Sequence, residues 1–325
     1  MRLYGIILLY FLSLPAWAQF DEDFLDLSAE ENLILKSITA YDVVKTDTTG
    51  RLTQVWLEID SQLCSLSERM SIQKLLALTH HDKPIIRCRA FHVLVDEYEG
   101  DALSIVQEHL QDTAVVHSSP GSCLPMKTYV GDYFAEVYRR KCFFARDSIQ
   151  RDKLDSIVIF TPNKLSARHS AMYRAANAGK FYNKVREIVM EAGVSGQGII
   201  ILAKFRKEQD IDLIMNWKSS DYPHHDRNTS CTFLAIAEFP HVAFSPFLQQ
   251  YIKKAILAKP DISCRSLYFA IANYNNKASH NLLSLPFQIA DKSVRSEHLE
   301  KLSEALEMNS NPIYNDLRTR LKGYK

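Results

Sequence analysis

Three short stretches in the C-terminal half, ILAKF, AIAEF and AIANY, end at Phe205, Phe239 and Tyr274, so their aromatics stand 34 and 35 residues apart. Each carries an alanine two residues before its aromatic (Ala203, Ala237, Ala272), and nine residues after it lies a further apolar residue, Ile214, Leu248 or Leu283. A unit of this length reads as an apolar helix, a polar turn and a second helix. One such hairpin cannot bury its own apolar face, and stacking joins the faces of neighbours into a continuous core. The alanine lets neighbouring helices approach closely, and the aromatic fills the space at the helix end. The expectation is an all-α fold of stacked helical hairpins, an α-solenoid, with the regular array spanning 191–325.

Composition agrees with that class. The chain has 10 glycines and 11 prolines in 325 residues with 46% hydrophobic residues, the profile of a packed helical protein and not of a disordered one. Residues 19–190 read as a less regular helical region. EAGVSGQG (191–198), with three glycines, is the expected soft boundary between the two parts, since a glycine after a helix is a common stop signal.

Residues 1–18 have the form of an export signal. Arg2 precedes an apolar run from Leu3 to Leu14, then Pro15 and Ala16-Trp17-Ala18, which places cleavage after Ala18. The run is well short of the roughly 20 residues needed to span a bilayer, and no later stretch is long and apolar enough. The expected location is therefore periplasmic or secreted. Without Arg2, 38 of the 39 basic residues face 38 acidic ones, a balance with no electrostatic footprint for nucleic acid.

Six cysteines (Cys64, Cys88, Cys123, Cys142, Cys231, Cys264) have wide, irregular spacings and no C-x-x-C pair, which argues against a zinc knuckle. Cys88, Cys231 and Cys264 sit in apolar helical patterns as small buried hydrophobes. Cys123 with Cys142 is the pairing to test for a disulfide.

In the N-terminal half, Met70, Ile72, Leu75, Leu76 and Leu78 recur at helical spacing. KPIIRCRAFHVLVDEY follows as a second helix with proline near its start, where the missing N–H costs nothing. GDALSIVQEHLQD is a third, with Asp101 as its cap. Across the first turn the chain resembles a HEAT repeat of the short bacterial type, D-x-P-x-[VI]-R-x-x-A, carried by Asp82, Pro84, Ile86, Arg87 and Ala90 over about residues 71–98. The resemblance implies that Asp82 caps the second helix and that Arg87 bonds along the stack to a neighbour. Between the halves, 113–130 reads as a long connection, and IVIFTPNK (157–164) as a short strand or a helix end.

Two HHD segments, His80-His81-Asp82 and His224-His225-Asp226, invite a metal reading. Both fall in polar connections, where adjacent histidines point apart. A metal site wants ligands converging from several elements or an i, i+4 pair on one helix. No metal is assigned, and His80, His81, His224, His225 and Asp226 stand as candidate binding residues in solvated turns, with Asn228 or Thr229 expected to cap the helix after the second. A helix over 132–146 carries the apolar stripe Tyr133, Phe134, Val137 and Tyr138 with Arg139, Arg140 and Lys141 behind it. Core packing accounts for it, and Tyr133, Tyr138, Arg139 and Arg140 are also candidate partner contacts, since Tyr and Arg lead among interface anchors.

Hydrolase, metalloprotease, P-loop and dinucleotide motifs have no match in the sequence, and no cofactor is implied. The expected function is that of an exported, non-enzymatic binding or scaffold protein of the cell envelope, holding a protein partner on a solenoid surface. The alternative is a metal-dependent or carbohydrate-active hydrolase with a groove lined by histidines and carboxylates.

Overall fold

The structure, a computed structural model, describes residues 25–39, 43–45, 54–97, 101–119, 126–176, 179–191, 196–217 and 225–324. Among them are seventeen α-helices and three short strands, an all-α fold. The chain divides into two compact units, Met1–Arg168 and His169–Lys325. Residues 1–18, where an export signal is expected, Cys123 and His224 lie outside the described residues.

The first unit contains α1 (Ala29–Thr39), β1 (Val43–Lys45), α2 (Gln54–Arg69), α3 (Ile72–Leu78), α4 (Pro84–Glu97), α5 (Ala102–Glu108), β2 (Val115–Ser119), β3 (Met126–Tyr129), α6 (Val130–Phe144) and α7 (Ser148–Phe160). Its centre is α4, which packs against α1, α2, α3, α6, β1 and β2. A helix enclosed this way cannot be amphipathic, and α4 buries residues on every side, Ile85, Cys88, Phe91 and Leu94 among them. Phe91 stacks on Phe134 of α6 with ring centroids 4.0 Å apart. As expected, Pro84 opens α4 and Asp101 caps α5, accepting from the Leu103 N–H at 3.1 Å.

The connection expected over 113–130 is instead largely sheet. β1 runs parallel to β2, with Val43 opposite His117, and β2 pairs antiparallel with β3, with Val115 opposite Tyr129. Pro120, Gly121 and Pro125 lie in the sequence between β2 and β3. IVIFTPNK resolves as a helix end, α7 closing at Phe160 with the Thr161 N–H bonded to Ile157 O. Cys142 is a buried, free thiol, and Cys123, the partner proposed for it, lies outside the described residues. Cys88 and Cys264 are buried as expected, whereas Cys231 is only half-buried.

The second unit holds most of α8 (Ser166–Ala175), then α9 (Tyr182–Glu191), α10 (Gly196–Lys204), α11 (Ile211–Asn216), α12 (His225–Glu238), α13 (Ser245–Ala255), α14 (Cys264–Ala272), α15 (Lys277–Leu283), α16 (Lys292–Glu307) and α17 (Asn315–Lys322). The first helices of successive hairpins pack in series, α10 on α12, α12 on α14 and α14 on α16. Ala203, Ala237 and Ala272 are buried in those contacts, and Ile214, Leu248 and Leu283 are buried from the second helices. The spacing continues into a fourth hairpin. Met308 stands one repeat after Tyr274, and Leu317, in the position that Leu283 holds in the hairpin before, is fully buried.

The glycine cluster lies inside this unit, and its last two glycines belong to α10 rather than to a break. A Cβ on Gly196 would sit 2.5 Å from Cys231 Sγ, so glycine is there to let α10 lie against α12.

Polar bonds spaced by about one repeat tie each hairpin to the next. Arg206 Nε donates to Glu238 O at 3.2 Å, and the Tyr274 hydroxyl to His241 O at 2.6 Å. Asn309 Nδ2 and the Tyr314 hydroxyl both donate to Ala272 O, at 3.0 and 2.8 Å. Glu238 O and Ala272 O are helix-terminal carbonyls beyond the end of the intrahelical ladder. The neighbouring hairpin supplies a donor to Glu238 O and adds two to Ala272 O, which also accepts from the Asn275 N–H at 3.1 Å.

Candidate functional site

In the first unit the polar side chains converge at the α3–α4 turn and the residues after α5. Arg87, one turn into α4, donates through Nη1 to His81 O at 2.7 Å and to Asp82 O at 3.2 Å. Its Nε lies 3.0 Å from Asp112 Oδ2, and Nη2 donates to Oδ1 at 3.2 Å. Asp112 also accepts from the Ala114 N–H at 3.1 Å and faces His109 Nδ1 at 3.4 Å. Burial pushes the Asp112 carboxyl up, but the His109 bond and the Arg87 charge outweigh it and hold the group below the usual range. Arg87 thus bridges the connection before α4 and the one after α5.

The histidines divide. His81 is buried, 3% exposed, and its Nδ1 accepts from the Lys83 N–H at 2.9 Å. This corrects the expectation that both histidines of the first HHD are solvated. The turn folds His81 inward, where its ring takes up a backbone donor just ahead of α4, the task the resemblance gave to Asp82. His80 is half-exposed and lies over the buried ring of His109, centroids 4.9 Å apart. His109 in turn packs on Phe134 at 4.6 Å. His80, His109, Phe134 and Phe91 therefore form one column of rings from the surface to the centre of the unit. Burial lowers the His80 pKa, and repulsion from His109 lowers it further.

Comparison with protein-family models, with curated proteins and with solved structures gave no match.

The second HHD belongs to the other unit. α12 begins at His225, so His225 and Asp226 lie in its first turn. Asn228 and Thr229 are then inside the helix rather than capping it. Gly131, at the start of α6, shows how tightly the first site is built: a Cβ there would meet His109 O at 2.5 Å.

Tyr133 and Tyr138 are buried in α6. The Tyr133 hydroxyl lies 2.7 Å from His92 Nδ1, and the Tyr138 hydroxyl donates to Gln150 Oε1 at 3.3 Å. Burial pushes both phenols well above their ordinary range. Arg139 makes a two-pronged bond to Glu136, at 2.9 and 2.8 Å, and Arg140 Nε reaches the same carboxylate at 3.1 Å. Burial raises the Glu136 carboxyl, and the two guanidiniums more than reverse it. The tyrosines are thus core groups, and the arginines form a half-exposed clamp on one helix.

His109 and Asp112 were missed by sequence reasoning because, beyond their own contact, the groups that meet them come from other elements, Arg87 from α4, His80 from the α3–α4 turn and Phe134 from α6. Among the described residues no three or more His, Cys, Asp or Glu side chains are grouped so as to hold a metal. No helix among them is long and apolar enough to cross a membrane. At the far end of the second unit, Ser303, Leu306, Glu307, Arg318 and Leu321 help line an open groove of about 380 Å³. Leu306 stands one repeat after Ala272, whose carbonyl receives the fourth hairpin, so the groove is the corresponding seat on the last hairpin.

Proposed function

We propose that this protein is an exported, non-enzymatic binding or scaffold protein of the cell envelope, a HEAT-like helical solenoid that holds a protein partner on its hairpin array. The observation that carries the reading is the stack of four hairpins, each pinned to the next by polar bonds. Such a stack is rigid between neighbours and offers a long repeated surface. On that surface Leu257 and Ile262 are 84% and 70% exposed, both in the connection between α13 and α14. Paired apolar side chains on an ordered connection are suitable anchors for a partner.

Affinity capture from the organism's own envelope, using the tagged full chain with and without chelator, tests this. The reading predicts one protein recovered in near-equal amount, indifferent to chelator, and lost on the double change Leu257→Ser, Ile262→Ser. Failure to recover a stoichiometric partner, or recovery that the double change leaves intact, would count against it.

A further inference from the structure

α6 and α7 meet at a sharp corner whose outward side is apolar and basic. Phe143, Phe144 and Ile149 are 56%, 72% and 69% exposed within this short stretch of chain. The two phenylalanine rings meet edge to face, 5.8 Å between centroids. Their neighbour Cys142 points into the core, so the phenylalanines project beyond the packed part of the unit. Around them stand Arg146 and Lys153, both exposed, and half-exposed Arg151. Of the two anions nearby, Asp147 is occupied as the cap of α7, accepting from the Gln150 N–H at 3.0 Å, and Asp152 is exposed. This is a local excess of positive charge in a chain with 39 basic and 38 acidic residues overall.

The backbone of the corner is closed on itself. The N–H groups of Ala145, Arg146 and Asp147 bond to the carbonyls of Lys141, Phe143 and Cys142, at 2.9, 3.1 and 2.8 Å. Pairing these three amides lowers the cost of bringing the tip of the turn toward a medium poor in water. Arg146 itself is held at φ 55°, in the left-handed region where glycine is the relaxed choice. A cation thus occupies the tip at the cost of backbone comfort.

We infer that this corner is a docking point for an anionic lipid bilayer surface, with Phe143, Phe144 and Ile149 entering the interface and Arg146, Arg151 and Lys153 meeting the lipid phosphates. Two aromatics with an aliphatic side chain provide apolar burial, and flanking cations add attraction to anionic headgroups that falls with salt. A protruding corner suits a deformable surface better than it suits a groove-bearing protein. The inference stands independently of the partner-binding reading, which concerns the other unit.

Vesicles of phosphatidylcholine alone and of an equal mixture with phosphatidylglycerol provide the test, by co-sedimentation of the purified full chain. Binding to the anionic vesicles is expected, weakened by high salt, and reduced about tenfold or more by Phe143→Ser with Phe144→Ser. In a Phe144→Trp chain the added fluorescence should shift to the blue with anionic vesicles. Arg146→Gly separates docking from folding, because glycine suits the left-handed backbone at that position and should leave the unfolding midpoint equal or higher while weakening binding. No binding to anionic vesicles, equal binding by the serine pair, or loss of self-association in that pair without loss of lipid binding would each overturn the inference.

Discussion

The two units solve the same packing problem in opposite ways. In the second, each hairpin touches its neighbours, and polar bonds join each hairpin to the next: Arg206 to Glu238, Tyr274 to His241, Tyr314 to Ala272. In the first, one helix, α4, is enclosed by helices and strands from before and after it in the chain. The stability of the array is a sum of neighbour terms, whereas that of the first unit is concentrated at its hub. A hub can be irregular because every element needs to fit only α4. An array must repeat its small and large residues in register, and that is why only the array announces itself as a period in the sequence.

The comparison can be broken first at the hub. Phe91→Ala removes a fully buried ring stacked on Phe134 and should cost about 3–5 kcal/mol. The strands and helices of the first unit should then melt together, which denaturant unfolding followed by limited proteolysis would register. Separate loss of α4 alone would show that the hub is not one.

In the array a lost link should act locally. Tyr314→Phe deletes the hydroxyl that donates to Ala272 O and meets Ser279 Oγ at 2.7 Å. The expected cost is about 1–2 kcal/mol, with amide exchange quickening in α14–α17 and little changed in α10. Uniform quickening across the unit would mean that the hairpins are not energetically separable.

The smallest effect concerns pH. His80 has a lowered folded pKa, so below about 6.5, its ordinary value, the unfolded chain binds the proton more readily than the folded one. Its contribution to stability is therefore lost as pH falls from about 7.5 through 6.5, while the Asp112 contribution, also from a lowered pKa, is lost only as pH falls through the acid range below about 4. Urea midpoints at pH 7.5 and 5.5 should fall less for His80→Gln than for the unaltered chain. An equal fall in both would remove His80 from the account.

The array was legible because alanine, aromatic and apolar residues recur at one spacing, and three hairpins could be placed from them. The fourth falls within the array expected over 191–325 but departs from its motif, because Met308 and Leu306 replace the aromatic and the alanine, although Leu317 keeps the spacing. The sheet was hidden because its strands are three to five residues long and β2 and β3 flank a segment whose two prolines and one glycine dominate the local signal. At the candidate site, the sequence singled out Arg87 but not its partner Asp112, which lies 25 residues further on. His81 was misplaced because a two-residue histidine turn carries no sign of which ring faces inward. That choice is made by the Lys83 N–H, a backbone group the sequence does not mark.

Native-state hydrogen exchange of the unaltered chain tests the contrast most directly. The account predicts graded opening in the second unit, with α16–α17 exchanging first and α12 and α14 last, and a single shared opening energy for α4, α6 and the strands of the first unit. One common energy throughout the second unit, or independent opening of α4, would contradict it.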